Sequence, residues 1–584
     1  MLKNCGKLLG NKGYWENVLL LMYPFVVLAV LAYSASLNFG LLLRLLVGAA
    51  FNFLFFAALV LWIAGLPDSK GKKNILRFIY LFQLVYLFLS VYHFSLYRQL
   101  IGLPSIYPII DTNYHEALEF TEVNLRGDYL GWSLLAVFPM LWCLLRPPRL
   151  PSSDSGFKAL PFLVVGTIFA GLTTLSVASG KRYLTDYNAF LHIGITMADA
   201  VHEKTKISQL LSHLPAVGIV KVDASSEKWT HVLVISESIN RNHMSLYGYG
   251  RNTTPNLLKI SDKLHVMRDA CASHDNTLDA LKHLLTFATD EEPEYLSKAP
   301  NLLQIMRAAG YETYWLSNQQ EVTVGASYIS VFSDSANHRD FVNHRALSEG
   351  VSLDEKLFEP LEKVLAHGPA KKFIIIHLIG AHAGYDLRYP RQYQIFDDAP
   401  VGPELAGKAL SSGSARKKYN EYDNAILYSD YIAYQLIKLQ HSNTPVSLTY
   451  ISDHGESIDE KDGYFGHGLD LPYRANFEIP VFFWFSPVAE ILYSQKIHNL
   501  ENNLKRPFQE DQTIHTLLDM YGVGYPLVNR HYSLFNEHFD PKPRRCDRPA
   551  YQMSALDKIN KERLRRTESA ELVKSGVAGK SAKP

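Results

Sequence analysis

A chain of 584 residues is too long to fold around one hydrophobic core, so two or more domains are expected. The net charge is +1 and the basic residues are scattered, which argues against a nucleic-acid-binding protein. The 47% hydrophobic average conceals a division, because the apolar residues concentrate before residue 180.

Five apolar segments lie in that first part, at 18–36, 41–64, 78–97, 129–145 and 160–178. Most approach the ~20 residues that cross a bilayer, and a cleaved signal peptide cannot account for five of them. Flanking charge sets the orientation. Lys3, Lys7 and Lys12 precede the first segment, Lys70, Lys72, Lys73 and Arg77 separate the second and third, and Arg146 and Arg149 follow the fourth. The loop after the third carries Asp111, Glu116, Glu119 and Glu122. Basic loops lie inside, so five spans place everything after Ala178 on the outer face. For a bacterial inner-membrane protein that face is the periplasm. The expected divisions are a transmembrane domain at 1–180, a connector at 181–222, a catalytic domain at 223–550 and a basic tail at 551–584.

In the connector, Tyr183, Tyr187, Leu191, Ile195 and Ala198 recur at helical spacing, predicting an amphipathic helix. Short β-branched or aromatic runs then appear at 231–236, 311–316, 373–379, 446–451 and 479–485, with intervals long enough for crossover helices. That pattern predicts a mostly parallel, doubly wound α/β sheet. The tail is rich in Lys, Arg, Ser and Glu, which predicts a solvated or partly helical segment. Cys271 and Cys546 fall in the outer domain, as one disulfide or as two buried thiols.

Ligand-binding residues of open α/β sheets collect at the carboxyl edge. The 446–451 run closes on Ser452-Asp453-His454-Gly455-Glu456, followed by Gly466-His467-Gly468. The first run closes on Ser236-Glu237-Ser238 and the third on His377-Leu378-Ile379-Gly380-Ala381-His382. Acids and imidazoles converging on one edge suit a divalent metal. Any single histidine here also reads as structural; His377 in particular is expected to be a satisfied mid-strand core residue. Thr277, taken alone, reads as a helix N-cap.

The combination Glu-Ser, Ser-Leu-Tyr-Gly-Tyr (245–249), Thr-Thr-Pro (253–255), His-Leu-x-Gly-x-His and Ser-Asp-His-Gly-Glu…His-Gly resembles the bacterial phosphoethanolamine transferases of the alkaline phosphatase/sulfatase superfamily. Thr277-Leu278-Asp279-Ala280-Leu281, the following Leu-Thr-Phe-Ala and Ser317-Asn318-Gln319-Gln320 are most similar to the lipopolysaccharide-core, heptose-phosphate type. The resemblance implies a five-helix membrane bundle with a sulfatase-like domain, and metal ligands Glu237, Asp453 and His454. It also implies a metal-bound threonine nucleophile at Thr277, with zinc as the metal and manganese as the alternative. The implied donor is phosphatidylethanolamine and the acceptor lipopolysaccharide. His382, His467, Glu456 and Asn318 are implied to contact substrate, and Asn113 and Glu116 the donor headgroup. Two departures stand out: Ser236 replaces a usual glycine, and Val322 lies where some lipid-A-modifying relatives carry lysine. A phosphoglycerol transferase or a phosphodiesterase shares the fold, whereas a sulfatase needs a Cys or Ser followed by x-Pro-x-Arg, which does not follow Glu237. A non-catalytic membrane scaffold would have no need of the intact Glu237, Thr277, Asp453 and His454.

The topology is open to test: a reporter active only in the periplasm should be active when fused after Val222 and silent in the Lys70–Lys73 loop. The reverse pattern would overturn the orientation.

Overall fold

The computed structural model describes residues 11–36, 39–65, 70–97, 101, 125, 127–145, 188–212, 215–223, 229–319, 328–343, 352–368, 371–410, 412–440, 443–459, 463–468, 473–549, 551 and 555–574. The chain divides into two compact units, with the change at 203/204.

The first unit is helical. Helices α1 (Lys12–Ser36), α2 (Phe39–Gly65), α3 (Lys70–Tyr97) and α4 (Gly127–Leu145) are followed by α5 (Ala189–Ser212). Among the described residues, the four helices α1–α4 are long and apolar enough to cross a membrane; the fifth expected span, 160–178, lies outside those residues. Tyr14, Val18, Phe25, Phe56, Val60 and Tyr80 interlock α1, α2 and α3. Apolar faces alone give helices in lipid little reason to associate, and polar pairs add to packing. Such pairs occur between Tyr80 and Asn17, and between Asn188 Nδ2 and Asn52 Oδ1 at 2.8 Å. The Lys72 ammonium donates to Ala64 O at 3.0 Å, satisfying a carbonyl at the end of α2. Helix α5 covers Leu191, Ile195 and Ala198 of the expected connector; Tyr183 and Tyr187 lie outside the described residues.

The second unit is built on an eight-stranded sheet. Its strands are β1 (Thr230–Ser236), β2 (His265–Cys271), β3 (Glu312–Ser317), β4 (His338–Phe341), β5 (Lys372–His377), β6 (Val446–Ser452), β7 (Glu478–Phe485) and β8 (Phe508–Gln509). They lie in the order β8-β2-β7-β6-β1-β5-β3-β4. Along β1, Leu233 and Ile235 enter one core while Val232 and Val234 enter the other, so helices cover both faces.

All five expected strands are present, and three more accompany them. One direction departs from a parallel sheet: β7 runs antiparallel to both β2 and β6. Its first residue, Glu478, therefore lies at the edge where β6 and β2 end. Strand β2, with the sequence HVMRDAC, is half-buried and carries Arg268 and Asp269, so it lacks an apolar run to reveal it. Strand β4 is a charged edge strand with three exposed residues.

The last described helix, α7 (Ala555–Lys574), docks on the catalytic unit. Leu556, Asp557 and Asn560 are buried, unlike a fully solvated tail. Asn560 Nδ2 donates to Asn242 O at 2.8 Å, and Asp557 lies 3.6 Å from the buried Arg241 guanidinium. A Cβ on Gly248 (φ 90°) would stand 2.8 Å from Asn560 O and from Leu564 Cγ, so the Tyr-Gly-Tyr glycine serves both the left-handed turn and this docking. Leu556→Ala is expected to destabilise the full-length protein by about 2–4 kcal/mol, read as a lower thermal midpoint in detergent. An unchanged midpoint would show that α7 is not part of the folded unit.

Candidate metal centre

Register brings the acids together. Parallel strands β1 and β6 pair Ser236 with Ser452, so the residues that follow them, Glu237 and Asp453-His454, emerge side by side. Asp453 N donates to Ser236 O at 3.0 Å, carrying the ladder one step further. Ser238 adopts a left-handed conformation (φ 59°), and its N–H donates to Asp453 Oδ1 at 3.2 Å. A non-glycine residue held in that region stores strain of the kind found at functional sites.

Two glycines let other backbone close in. At Gly380 (φ 51°) a Cβ would come within 2.4 Å of Glu237 O, and at Gly455 within 2.1 Å of Ala475 O. Gly455 has no positive φ, so close approach of backbone, and not a left-handed conformation, is its reason.

Strand β2 delivers the nucleophile candidate. Helix α6 (Thr277–Leu285) begins six residues beyond it, and Asn276 is its N-cap, accepting from Asp279 N at 3.0 Å. Thr277 is therefore the first helical residue and not the cap. Its hydroxyl donates toward Glu237 Oε1 and Oε2 at 3.2 and 3.1 Å and stands 3.5 Å from His454 Nε2. His454 Nε2 lies 3.1 Å from Glu237 Oε1 and 3.6 Å from Asp453 Oδ2. Ligands at zinc-like bond lengths around one tetrahedral ion stand roughly 3.3–3.6 Å apart, so these spacings fit a shared cation. Asp453 Oδ2 is buried with no hydrogen-bond partner among the described residues, which suits a ligand atom. His454 Nδ1–H donates to Gly455 O at 2.8 Å, which fixes the tautomer and leaves Nε2 as the ligand atom.

Electrostatics agrees. Burial opposes charge on Glu237, but the hydrogen bond and charge of His454, with His382 and His467 beyond, outweigh it and hold the carboxyl well below its usual range. Burial, then the neighbouring Glu237 charge, pushes Asp453 well up. Burial works against protonated His454, yet Asp453 and Glu237 raise it well above an ordinary imidazole. Two buried carboxylates and an imidazole thus compete for protons that one divalent ion would replace.

Around this triad stands a second ring of residues. His467 Nδ1–H donates to Glu456 Oε2 at 2.6 Å, and Tyr385 OH donates to Glu456 Oε1 at 2.5 Å. Glu456 is wholly buried, so it orients His467. The partly exposed His382 and His467 face one another with centroids 6.0 Å apart, and burial holds His382 down to about 4. Asn318 is wholly buried and does not face the site: it donates to Asp354 at 2.9 Å and accepts from Ser352 Oγ at 2.6 Å. Asp354 in turn receives Ile379 N and Gly380 N, bracing the turn that presses on Glu237. The next residue, and not Asn318, reaches the metal centre. Gln319 Nε2 donates to Glu237 Oε2 at 3.3 Å and to Leu378 O at 3.0 Å; its place in the Ser-Asn-Gln-Gln run was the available signal. His377 closes β5, and neither ring nitrogen has a hydrogen-bond partner among the described residues; burial keeps it neutral, down to about 4. It is a core residue, but neither mid-strand nor satisfied. Asn113, Glu116 and Val322 lie outside the described residues.

A second cluster, His274, His283 and Asp290, has metal-like spacing. Arg545 and Arg548 each reach Asp290 at 3.8 Å, and Arg545 Nη1 lies 2.8 Å from His274 Nδ1, so it is an ion-pair network. Cys271 and Cys546 form a disulfide beside it.

Comparison with known proteins gives this site a family. The model described as Sulfatase matches residues 230–523, about half the chain. The crystal structure of the C-terminal periplasmic domain of Escherichia coli EptC in complex with zinc is 30% identical, with a TM-score of 0.53, covering 59% of this chain and 97% of that one. The chain belongs to the sulfatase family, in its phosphoethanolamine transferase branch. Phosphoethanolamine transferase EptC of Escherichia coli K12 is 29% identical over 494 residues, 80% of this chain and 82% of the relative. The integral membrane lipooligosaccharide phosphoethanolamine transferase A of Neisseria meningitidis shares the fold at 20% identity, with a TM-score of 0.64 over 88% of this chain and 97% of that one.

Asp453→Asn and His454→Ala should each lower bound metal at least tenfold by elemental analysis, as expected for lost direct ligands, while the thermal midpoint of the helical unit stays unchanged. Full metal content in both variants would remove the triad from the site.

Proposed function

We propose that this chain transfers phosphoethanolamine from phosphatidylethanolamine to lipopolysaccharide, at a core heptose or its phosphate, through a phosphoethanolamine–threonine intermediate on Thr277. The supporting observation is the Thr277 hydroxyl, 3.1–3.2 Å from Glu237 and 3.5 Å from His454, in a branch whose relatives are phosphoethanolamine transferases. Glu237, Thr277, Asp453 and His454 would hold the cation; the set suits zinc, with manganese as the alternative. Bound there, a divalent ion lowers the proton affinity of the threonine hydroxyl and offsets phosphoryl charge.

The chain's own residues supply the rest. Glu237 holds the Thr277 hydroxyl in place, and Thr277 Oγ1 gives up its proton as it forms the new bond to phosphorus. The bond from phosphorus to the glycerol oxygen breaks, and that oxygen leaves as the hydroxyl of diacylglycerol, gaining the one proton that Thr277 gives up, on the face where His382 and His467 stand. In the second half-reaction an acceptor oxygen attacks the same phosphorus, the bond from phosphorus to Thr277 Oγ1 breaks, and the proton the acceptor loses restores the Thr277 hydroxyl. His382 and His467 also suit the phosphoryl oxygens, where positioned donors lower the barrier. The apolar helices, the charge of their flanks and the Cys271–Cys546 disulfide support an inner-membrane protein with its catalytic unit in the oxidising periplasm.

Incubated with phosphatidylethanolamine alone, the protein should gain one phosphoethanolamine on the peptide carrying Thr277, detected by mass spectrometry. Thr277→Ala should lose the adduct and transfer, while Thr277→Ser keeps part of both. An adduct on Ser273, a phosphoglycerol adduct, or normal turnover by Thr277→Ala would each overturn the proposal. Mass spectrometry of lipopolysaccharide from cells with and without the gene reports the acceptor position.

A further inference from the structure

Ser273, four residues before Thr277, is held at every polar group it has. Its N–H donates to Glu510 Oε2 at 2.8 Å, its Oγ accepts from Gln509 Nε2 at 3.1 Å, and its carbonyl accepts from Arg545 Nη1 at 3.3 Å. The three holding residues are themselves linked. Gln509 ends β8, which runs parallel to β2 with Gln509 opposite Cys271, and its Oε1 accepts from Arg545 N at 3.1 Å. The Cys271–Cys546 disulfide ties the base of the loop to the residue after Arg545. On the far side of Ser273, Asp275 O accepts from Gly468 N at 2.7 Å, next to His467.

Glu510 is the unusual member of this clamp. It is wholly buried, and only one of its oxygens, Oε2, has a hydrogen-bond partner among the described residues. Burial pushes its carboxyl well above the usual range, which the Ser273 N–H only partly offsets and to which the nearby Asp453 charge adds. Among the described residues it forms no hydrogen bond with Glu237 or Thr277, and the proposed transfer steps make no use of it. A costly buried carboxyl whose one bond is to the backbone of the nucleophile loop has a positional reason to be there.

We propose that Glu510 is a positioning residue for the transfer reaction. As an acceptor for Ser273 N it fixes the loop that leads into α6, and so sets the Thr277 hydroxyl against Glu237 and His454. The proposal rests on Thr277 being the nucleophile. What the site needs from Glu510 is an acceptor atom at one place, not a negative charge.

Two near-isosteric substitutions separate those requirements. Glu510→Gln keeps an oxygen where Ser273 N needs it and cannot ionise. Glu510→Asp keeps the carboxyl but withdraws it by one methylene. With transfer from phosphatidylethanolamine to lipopolysaccharide as the assay, Glu510→Gln should retain kcat within about threefold. Glu510→Asp should lose about tenfold or more in kcat, with KM and metal content unchanged, because a small displacement of a reacting group carries costs of that order. An impaired Glu510→Gln beside an active Glu510→Asp would overturn the proposal and make charge the requirement. Full activity in both variants, or equal impairment of both, would also overturn it. Thr277→Ala in the same assay keeps the two readings apart. If it still turns over, the nucleophile reading falls; if it is inactive while Glu510→Asp is fully active, only the positioning role falls.

Discussion

The site depends on one crowded juxtaposition: two carboxylates and an imidazole forced together at the ends of adjacent parallel strands. The pairing of Ser236 with Ser452 leaves Glu237, Asp453 and His454 no room to separate, and all three are wholly or almost wholly buried. Two buried acids side by side cannot both stay ionised without a counter-charge, and moving one away would break the ladder that carries the core. The cost is contained by the surroundings. Gly380 and Gly455 admit backbone where any side chain would collide, Ser238 is held in a left-handed conformation, and the Asp354–Asn318 pair locks the 379–380 turn. The sheet acts as a frame that makes a cation the economical way to relieve the repulsion.

Thr277, the proposed nucleophile, enters from a different direction, and this accounts for the mixed sheet. Strand β7 runs against its neighbours and so reaches the edge with its first residue. Strand β2, on its other side, ends at that same edge with Cys271. A parallel β7 would have placed its loop, not Glu478, there. Glu478, Asp269 and Asp557 share the buried Arg241 guanidinium, four residues beyond Glu237. Helix α7 thus contributes, through Asp557, to the polar network behind the Glu237 segment, although it lies at the far end of the sequence.

Much of this was legible in the sequence where residue pattern and chemistry coincide. Runs of buried β-branched residues revealed β1, β5 and β6, and the polar residues closing β1 and β6 are the proposed ligands. Legibility failed where structure is made by pairing and not by composition. Strand β2 carries Arg268 and Asp269 mid-strand because Arg544 and Arg241 receive the aspartate, and no local pattern encodes those partners. Asn318 and Gln319 are adjacent and chemically alike. Only the strand's exit geometry decides that one braces a turn while the other touches Glu237. The disulfide was one of two options until Cys271 and Cys546, separated by 275 residues, were seen together.

That disulfide also joins two features that look independent in the sequence. Cys271 and Cys546 pair at the root of the loop that leads to Thr277, beside the contacts of Arg545 with Ser273 O and of Arg544 with Asp269 O. A cross-link over so long a loop chiefly restricts the unfolded chain, so its effect on stability does not depend on where in the catalytic unit it lies. Its position matters for another reason. Segment 544–547 is secured by the sulfur bridge and by the Arg544–Asp547 ion pair, and once secured it presents Arg545 to the carbonyl of Ser273. An oxidising compartment is therefore a condition on the geometry around Thr277 as well as on stability, which ties the proposed location of the catalytic unit to the chemistry proposed for it.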